Sequence, residues 1–238
     1  MKINWFYIRM LVLVAVTLGL VAFTHKRNAN RKVKEVKVNF EAGANLFVTA
    51  ESVDKLLIQN GKPIEGQYKE ILDLKDLEDK LDAHAMIADA DVYMTLDGVV
   101  GATVKQRKPL ARVQTKTPFY IDEEGKTMPL STNYSARVPL VTGVSKEQVN
   151  EIYPLLNYLQ EDNVLATQVV GISRDKTGDY SLTLRVLNYK VIVGKIEQLS
   201  SKFSNYKAFY QKAIKDNSLE VYKSIDLRFK GQVVGTKK

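Results

Sequence analysis

Only two histidines are present, and His84 is the one surrounded by other chemistry. It lies in "KLDAHAMIADAD" (80–91), near Asp79, Asp82, Asp89 and Asp91. A histidine among carboxylates can ligate a metal or serve as a general base. No second nitrogen at His-x-x-x-His spacing completes a zinc set, so His84 reads as a cation-like residue favourable to a helix C-terminus. Two acidic stretches, "DEEG" (122–125) and "RDKTGD" (174–179), resemble calcium loops. Both lack the alternating oxygen ligands and closing glutamate of a 12-residue site and read as polar hairpin turns. Ser200-Ser-Lys202 is one position short of Ser-x-x-Lys, and no serine sits in a nucleophile elbow. Gly-rich phosphate loops are missing. With no cysteine, thiolate chemistry and disulfides are excluded. The expectation is a binding protein with no catalytic residue, cofactor or metal; a serine–lysine hydrolase is the enzymatic alternative.

The strongest candidate for binding is the end of the chain, "YKSIDLRFKGQVVG" (222–235). Ile225, Leu227 and Phe229 alternate with Ser224, Asp226, Arg228 and Lys230, the period of a half-buried strand. Gly231 permits a bulge or close backbone approach, and Val233 and Val234 add apolar contact beyond it. An edge strand exposes unpaired backbone groups to which another chain can add itself. The alternative is that this strand pairs within its own sheet and does nothing more, and the pattern alone leaves both open. The candidate partner-binding set is Ile225, Asp226, Arg228 and Phe229, together with Lys230, Gly231, Val233 and Val234.

Charge argues against nucleic acid. The chain has 35 Lys and Arg against 27 Asp and Glu, a formal charge of +8 over 238 residues. Residues 1–34 hold seven of these cations and no acid, which leaves 28 cations against 27 acids in the rest. The body is close to neutral, without the gathered cationic face that phosphate recognition needs.

Those seven cations flank "WFYIRMLVLVAVTLGLVAFTHKR" (5–27), which has no charge from Met10 to Thr24. About 20 apolar residues span a bilayer as a helix. Arg9 can snorkel, and Trp5 and Tyr7 suit the interface. The stretch lacks a good small-residue cleavage pattern, so an uncleaved anchor is expected over a signal peptide. Cations after the span favour a cytoplasmic body, but long domains translocate largely regardless of charge. The expected topology has the N-terminus in the cytoplasm and the body outside.

Two modules follow. In the first, "VKEVKVNF" (33–40) alternates as a strand. A helix capped by Thr49 or Ser52 carries Val53, Leu56 and Leu57 and stops at Asn60-Gly61. A second helix opens near Asp73 with Leu74, Leu77 and Leu81. Val92, Met94 and Leu96 then lead through Asp97-Gly98 to Val100, Ala102 and Val104. That pair is the signature of a tight type I′ hairpin. The second module predicts strands over 119–130 and a helix opened by the Ser145–Gln148 capping box, carrying Val149, Ile152, Tyr153, Leu156 and Leu159. Three strands across 167–195 and a helix carrying Ile196, Leu199, Phe203, Tyr206, Tyr210 and Ala213 complete it. The fold class is α+β: an N-terminal transmembrane helix, a small β-α-α-β-β domain, then a mostly antiparallel β domain with two helices. The expected boundaries are 1–9 for the cytoplasmic end and interface, 10–24 for the span core, 25–32 for a linker, 33–108 and 109–238.

This order of parts, with "VKQRKPLARV" (104–113), "YIDEEGKTMPL" (120–130), "VPLVTGV" (138–144), "NYKVIVGK" (188–195) and "IDLRFKGQVV" (225–234), resembles the FtsQ/DivIB family of bacterial cell-division proteins. Gln106 stands where that family often has glutamate, and Phe229 where it often has tyrosine. The resemblance implies a single-pass membrane protein with a polypeptide-transport-associated (POTRA) domain and a C-terminal β domain. It also implies bitopic partners of the FtsB and FtsL type, bound through the last strands. A POTRA-type envelope assembly or secretion factor is the alternative within binding proteins.

Overall fold

The computed structural model describes residues 5–41 and 47–238. Residues 1–4 of the expected cytoplasmic end lie outside the described residues. The chain divides into two compact units, the first ending at Gln106 and the second running from Arg107 to Lys238.

The first unit opens with α1 (Trp5–Ala29), whose stretch Trp5–Arg27 is long and apolar enough to cross a membrane and is wholly exposed. The helix continues five residues beyond Thr24, through most of the segment expected as linker. It is followed almost at once by a backbone bridge between Lys32 and Tyr68. Then come β1 (Glu35–Phe40), α2 (Ala50–Leu56), β2 (Ile58–Gln59), β3 (Lys62–Pro63), α3 (Leu74–Asp82), β4 (Ile87–Met94) and β5 (Val99–Gln106). The main sheet has the order β1-β5-β4, with β1 parallel and β4 antiparallel to β5. Thr49 caps α2 and Asp73 caps α3, each side chain accepting a free N–H of the first turn. Val53, Leu77 and Leu81 are fully buried, as are Val100, Ala102 and Val104 of the central strand.

Two local expectations need correction. Asn60-Gly61 does not stop α2, which ends at Leu56 with Leu57 turned into the core. The pair forms instead the two-residue turn of the β2–β3 hairpin, with φ of 53° and 71°. The β4–β5 connection has three residues, Leu96–Gly98: Thr95 N–H donates to Val99 O (2.9 Å) and Gly98 alone has positive φ. That is the bulged relative of the expected type I′ turn.

The second unit is one nine-stranded sheet with helices packed against it. Its strands are β6 (Pro109–Val113), β7 (Phe119–Asp122), β8 (Thr127–Pro129), β9 (Leu140–Thr142), β10 (Val169–Arg174), β11 (Tyr180–Leu184), β12 (Lys190–Gly194), β13 (Tyr222–Asp226) and β14 (Val234–Lys237). The order is β14-β13-β12-β11-β10-β9-β6-β7-β8. Most neighbours are antiparallel; β9 is parallel to both β6 and β10, and β13 is parallel to β12. The helices are α4 (Val149–Glu161), α5 (Asn163–Gln168) and α6 (Leu199–Lys215). Gln148 accepts from Ser145 N–H ahead of α4, as the capping box predicts. Short α5 is an addition to the two expected helices, capped by Asp162, which accepts from the N–H groups of Val164 and Leu165. One core joins Ile152, Leu155 and Leu156 of α4 and Phe203 and Tyr206 of α6 to the inward residues of the strands.

Gly143, just after β9, has φ of +77°, and a Cβ there would fall 2.1 Å from the Arg174 carbonyl oxygen. Gly231 has φ of +73° with open space around it. Gly143→Ala is therefore expected to destabilise by about 3 kcal/mol or more, because backbone must move. Gly231→Ala adds left-handed strain alone, about 1 kcal/mol. Urea midpoints of the two variants measure the difference, and equal losses would refute this account.

Candidate partner-binding edge

The predicted terminal strand is in fact two strands and the bend between them. β13 carries Ile225 and Asp226 and has neighbours on both sides: β12 in parallel (Val191 beside Ile225, Ile192 beside Asp226) and β14 antiparallel (Gly235 beside Ile225, Val234 beside Asp226). β14, the last strand, forms the margin of the sheet. Leu227 N–H still donates to Ile192 O (2.8 Å), after which the chain turns back. The turn is Phe229–Gln232, with Gln232 N–H approaching Phe229 O (3.4 Å) and Gly231 at its third position, where positive φ suits glycine.

Each candidate residue therefore has a distinct setting. Ile225 and Leu227 are buried in the core, and Val233 packs partly against it. Phe229 is 47% exposed and Val234 38%. Lys230 and Gly231 are exposed at the tip. Asp226 is buried on the outer face, and Arg228 covers it. The Arg228 guanidinium donates through Nε (3.0 Å) and Nη2 (2.7 Å), and its backbone N–H donates to the same carboxylate at 3.0 Å. Arg228 also reaches Asp179 (3.3 Å), which Lys195 approaches at 3.3 Å. Burial works to raise the Asp226 carboxyl, and the hydrogen bonds from Arg228 outweigh it, holding the group below its usual range. Asp226 and Arg228 thus anchor the bend, while the apolar surface lies beyond them.

The opposite margin is β8, three residues long and ending in Pro129. A short edge with a proline resists strand addition. β14 has no proline; its apolar Val234 and, in the preceding turn, Phe229 are both exposed. Sequence reasoning did not extend the strand to Thr236 and Lys237; the β-branched pair Val234 and Thr236, two apart, was the available signal. It also overlooked Asp179, 49 positions from Arg228.

The other chemical candidates resolve into structure. His84 Nδ1 accepts the Met86 N–H (3.3 Å), and burial pulls its pKa down. It is a neutral acceptor after α3, and the cation-like role expected from sequence is corrected. Asp122 accepts from the N–H groups of Glu124 and Lys126 and pairs with Arg107 (2.7 Å). Asp175 accepts from Thr177 and Asp179. In each acidic stretch one aspartate, Asp122 or Asp175, spends its Oδ1 on the turn, and Asp179 is held in ion pairs. Among the described residues no group of three or more His, Asp or Glu side chains is placed to hold a metal.

A membrane-length helix, a β-α-α-β-β module and a mixed β domain fit a membrane-anchored scaffold protein. Family models agree on both modules: one described as FtsQ/DivIB, C-terminal related, matches residues 108–236, and one for a POTRA-like domain matches residues 31–105. The chain belongs to the FtsQ/DivIB family of cell-division proteins. A comparison with curated proteins finds no match.

Lowered as it is, Asp226 stabilises the fold at pH values above the unfolded carboxylate pKa, and that contribution is lost as pH falls through its folded value. The unfolding temperature of the parent protein should exceed that of Asp226→Asn at neutral pH, with the gap closing below about pH 4. A gap that stays constant down the acid limb would disprove the role given to this carboxylate.

Proposed function

We propose that the chain is a non-enzymatic divisome scaffold in the cytoplasmic membrane, with its body on the extracytoplasmic side at the septum. It recruits bitopic division partners of the FtsB and FtsL type by adding a strand of the partner to β14. The observation that carries this is the margin formed by β14, with Val234 exposed on that strand and Phe229 exposed in the turn that leads into it. Backbone pairing along Val234–Lys237 supplies affinity, and the two apolar side chains supply a pocket for the partner. Lys230 and Gly231 shape the tip of the bend. Ile225, Asp226, Arg228 and Val233 act from beneath, holding the hairpin in place.

Phe229→Ala combined with Val234→Lys removes roughly 2 kcal/mol of apolar contact, equivalent to about 30-fold in Kd. The full chain in detergent should lose binding to a partner of the FtsB type by about that factor, with its unfolding temperature unchanged. Undiminished binding rejects strand addition here. In the cell, depletion should give filaments without septa; intact division with envelope-protein defects would favour an assembly factor instead.

A further inference from the structure

We infer that the β4–β5 loop of the first unit is a lipid-contact surface, which seats the module on anionic headgroups beside its own membrane helix. This rests on reading α1 as the membrane span.

Leu96, at the tip of the loop, is 84% exposed, more than any other large apolar residue described. Its carbonyl is the point where cations converge. Arg31 Nη1 donates to it at 2.9 Å, and Lys69 Nζ donates to it and to Thr95 O, each at 2.8 Å. The Lys69 side chain is buried, so the loop is held firmly. Tyr68 lies beside it, 46% exposed, with the Lys32 ammonium 5.2 Å from its ring centroid. Lys34 passes close to Gly98, the last residue of the loop.

Position follows from the helix. From Phe23, the last large apolar residue of the span, α1 runs on to Ala29, about 9 Å at 1.5 Å per residue. The headgroup layer is roughly 5–8 Å deep on each side of the hydrocarbon. Arg31, two residues past the helix, therefore emerges close to the headgroup surface, and it is bonded directly to Leu96. Lys26, Arg27, Arg31, Lys32 and Lys34 surround this exit with no acid among residues 1–34. Glu35 is engaged by Lys37 at 3.4 Å, and Glu65, Glu70 and Asp97 are acids of the adjoining segments, fewer than the five cations. A net cationic rim around an apolar residue and a tyrosine matches an anionic bilayer surface, where each cation adds to attraction. This also gives the cations that follow the span a task other than setting topology.

The chain has no cysteine, so single labels are available. Full-length Leu96→Cys, Val14→Cys and Glu51→Cys variants carry a fluorophore in lipid nanodiscs. The discs contain phosphatidylglycerol and phosphatidylethanolamine, with nitroxide on either headgroups or acyl chains. The Leu96→Cys label should lose most of its fluorescence to headgroup nitroxide, and the Glu51→Cys label, exposed on α2 at the Gln106 end of β5 and so away from the loop, should lose little. Acyl nitroxide should quench the Val14→Cys label. If that label is quenched and the Leu96→Cys label behaves like the Glu51→Cys label, the lipid contact is overturned while the span stands. An unquenched Val14→Cys label overturns the span itself. Equal quenching of the Leu96→Cys label in phosphatidylcholine discs overturns the role of charge.

Discussion

The C-terminal half of the molecule depends on the parallel pairing of β12 with β13. Parallel neighbours cannot be joined by a tight turn and need a crossover, here α6. That helix stays on the sheet because Phe203 and Tyr206 are buried against it, with Phe203 stacked on Tyr158 at 5.1 Å. The hydroxyls of Tyr206 and Tyr189 are 3.1 Å apart in the interior, and burial pushes both pKa values up, so each remains a protonated, neutral partner. Once α6 has delivered β13 alongside β12, whose other side is taken by β11, the open side of β13 is the nearest place for the following chain to pair. β14 must lie outermost. The free margin is thus a topological consequence of a buried helix face some thirty residues earlier.

Polar and apolar residues divide the work at that margin. Asp226, Arg228, Asp179 and Lys195 tie the bend to the β10–β11 turn and the end of β12. Exposed ion pairs contribute little to stability on their own. The buried Asp226 carboxylate with several donors is a stronger constraint, since removing its partner would leave a charge without compensation. The value of this network lies in direction: it fixes where the chain reverses and so which residues face outward.

Much of this was legible in the sequence. Period-two alternation located β5 and the second half of β4, the turns at Lys176–Asp179 and Asn188-Tyr189 separated β10–β12, and the Asp73 and Ser145 signals placed the starts of α3 and α4. Local pattern failed where a choice depended on distant partners. Asn60-Gly61 suits a helix end and a hairpin equally, and the short β2–β3 pair decided between them. Ile225–Val234 reads as one strand broken by glycine, because alternation cannot reveal that Leu227 is the last residue to bond β12 before the chain folds back. The eight residues of the candidate set were chosen by pattern and by resemblance, and which of them are buried and which exposed follows only from the folded hairpin. The Arg228–Asp179 contact, spanning two hairpins, leaves no trace in spacing.

One consequence concerns rotation. α1 runs unbroken to Ala29, and by Arg31 and Lys32 the backbone is already bonded to Lys69 and bridged to Tyr68. Almost no swivel lies between them. Each helical residue turns by about 100°, so every side of α1 has a fixed compass bearing relative to the first module. One helical residue inserted between Lys26 and Arg27 would leave the hydrophobic length intact and redirect that bearing by more than a quarter of a circle.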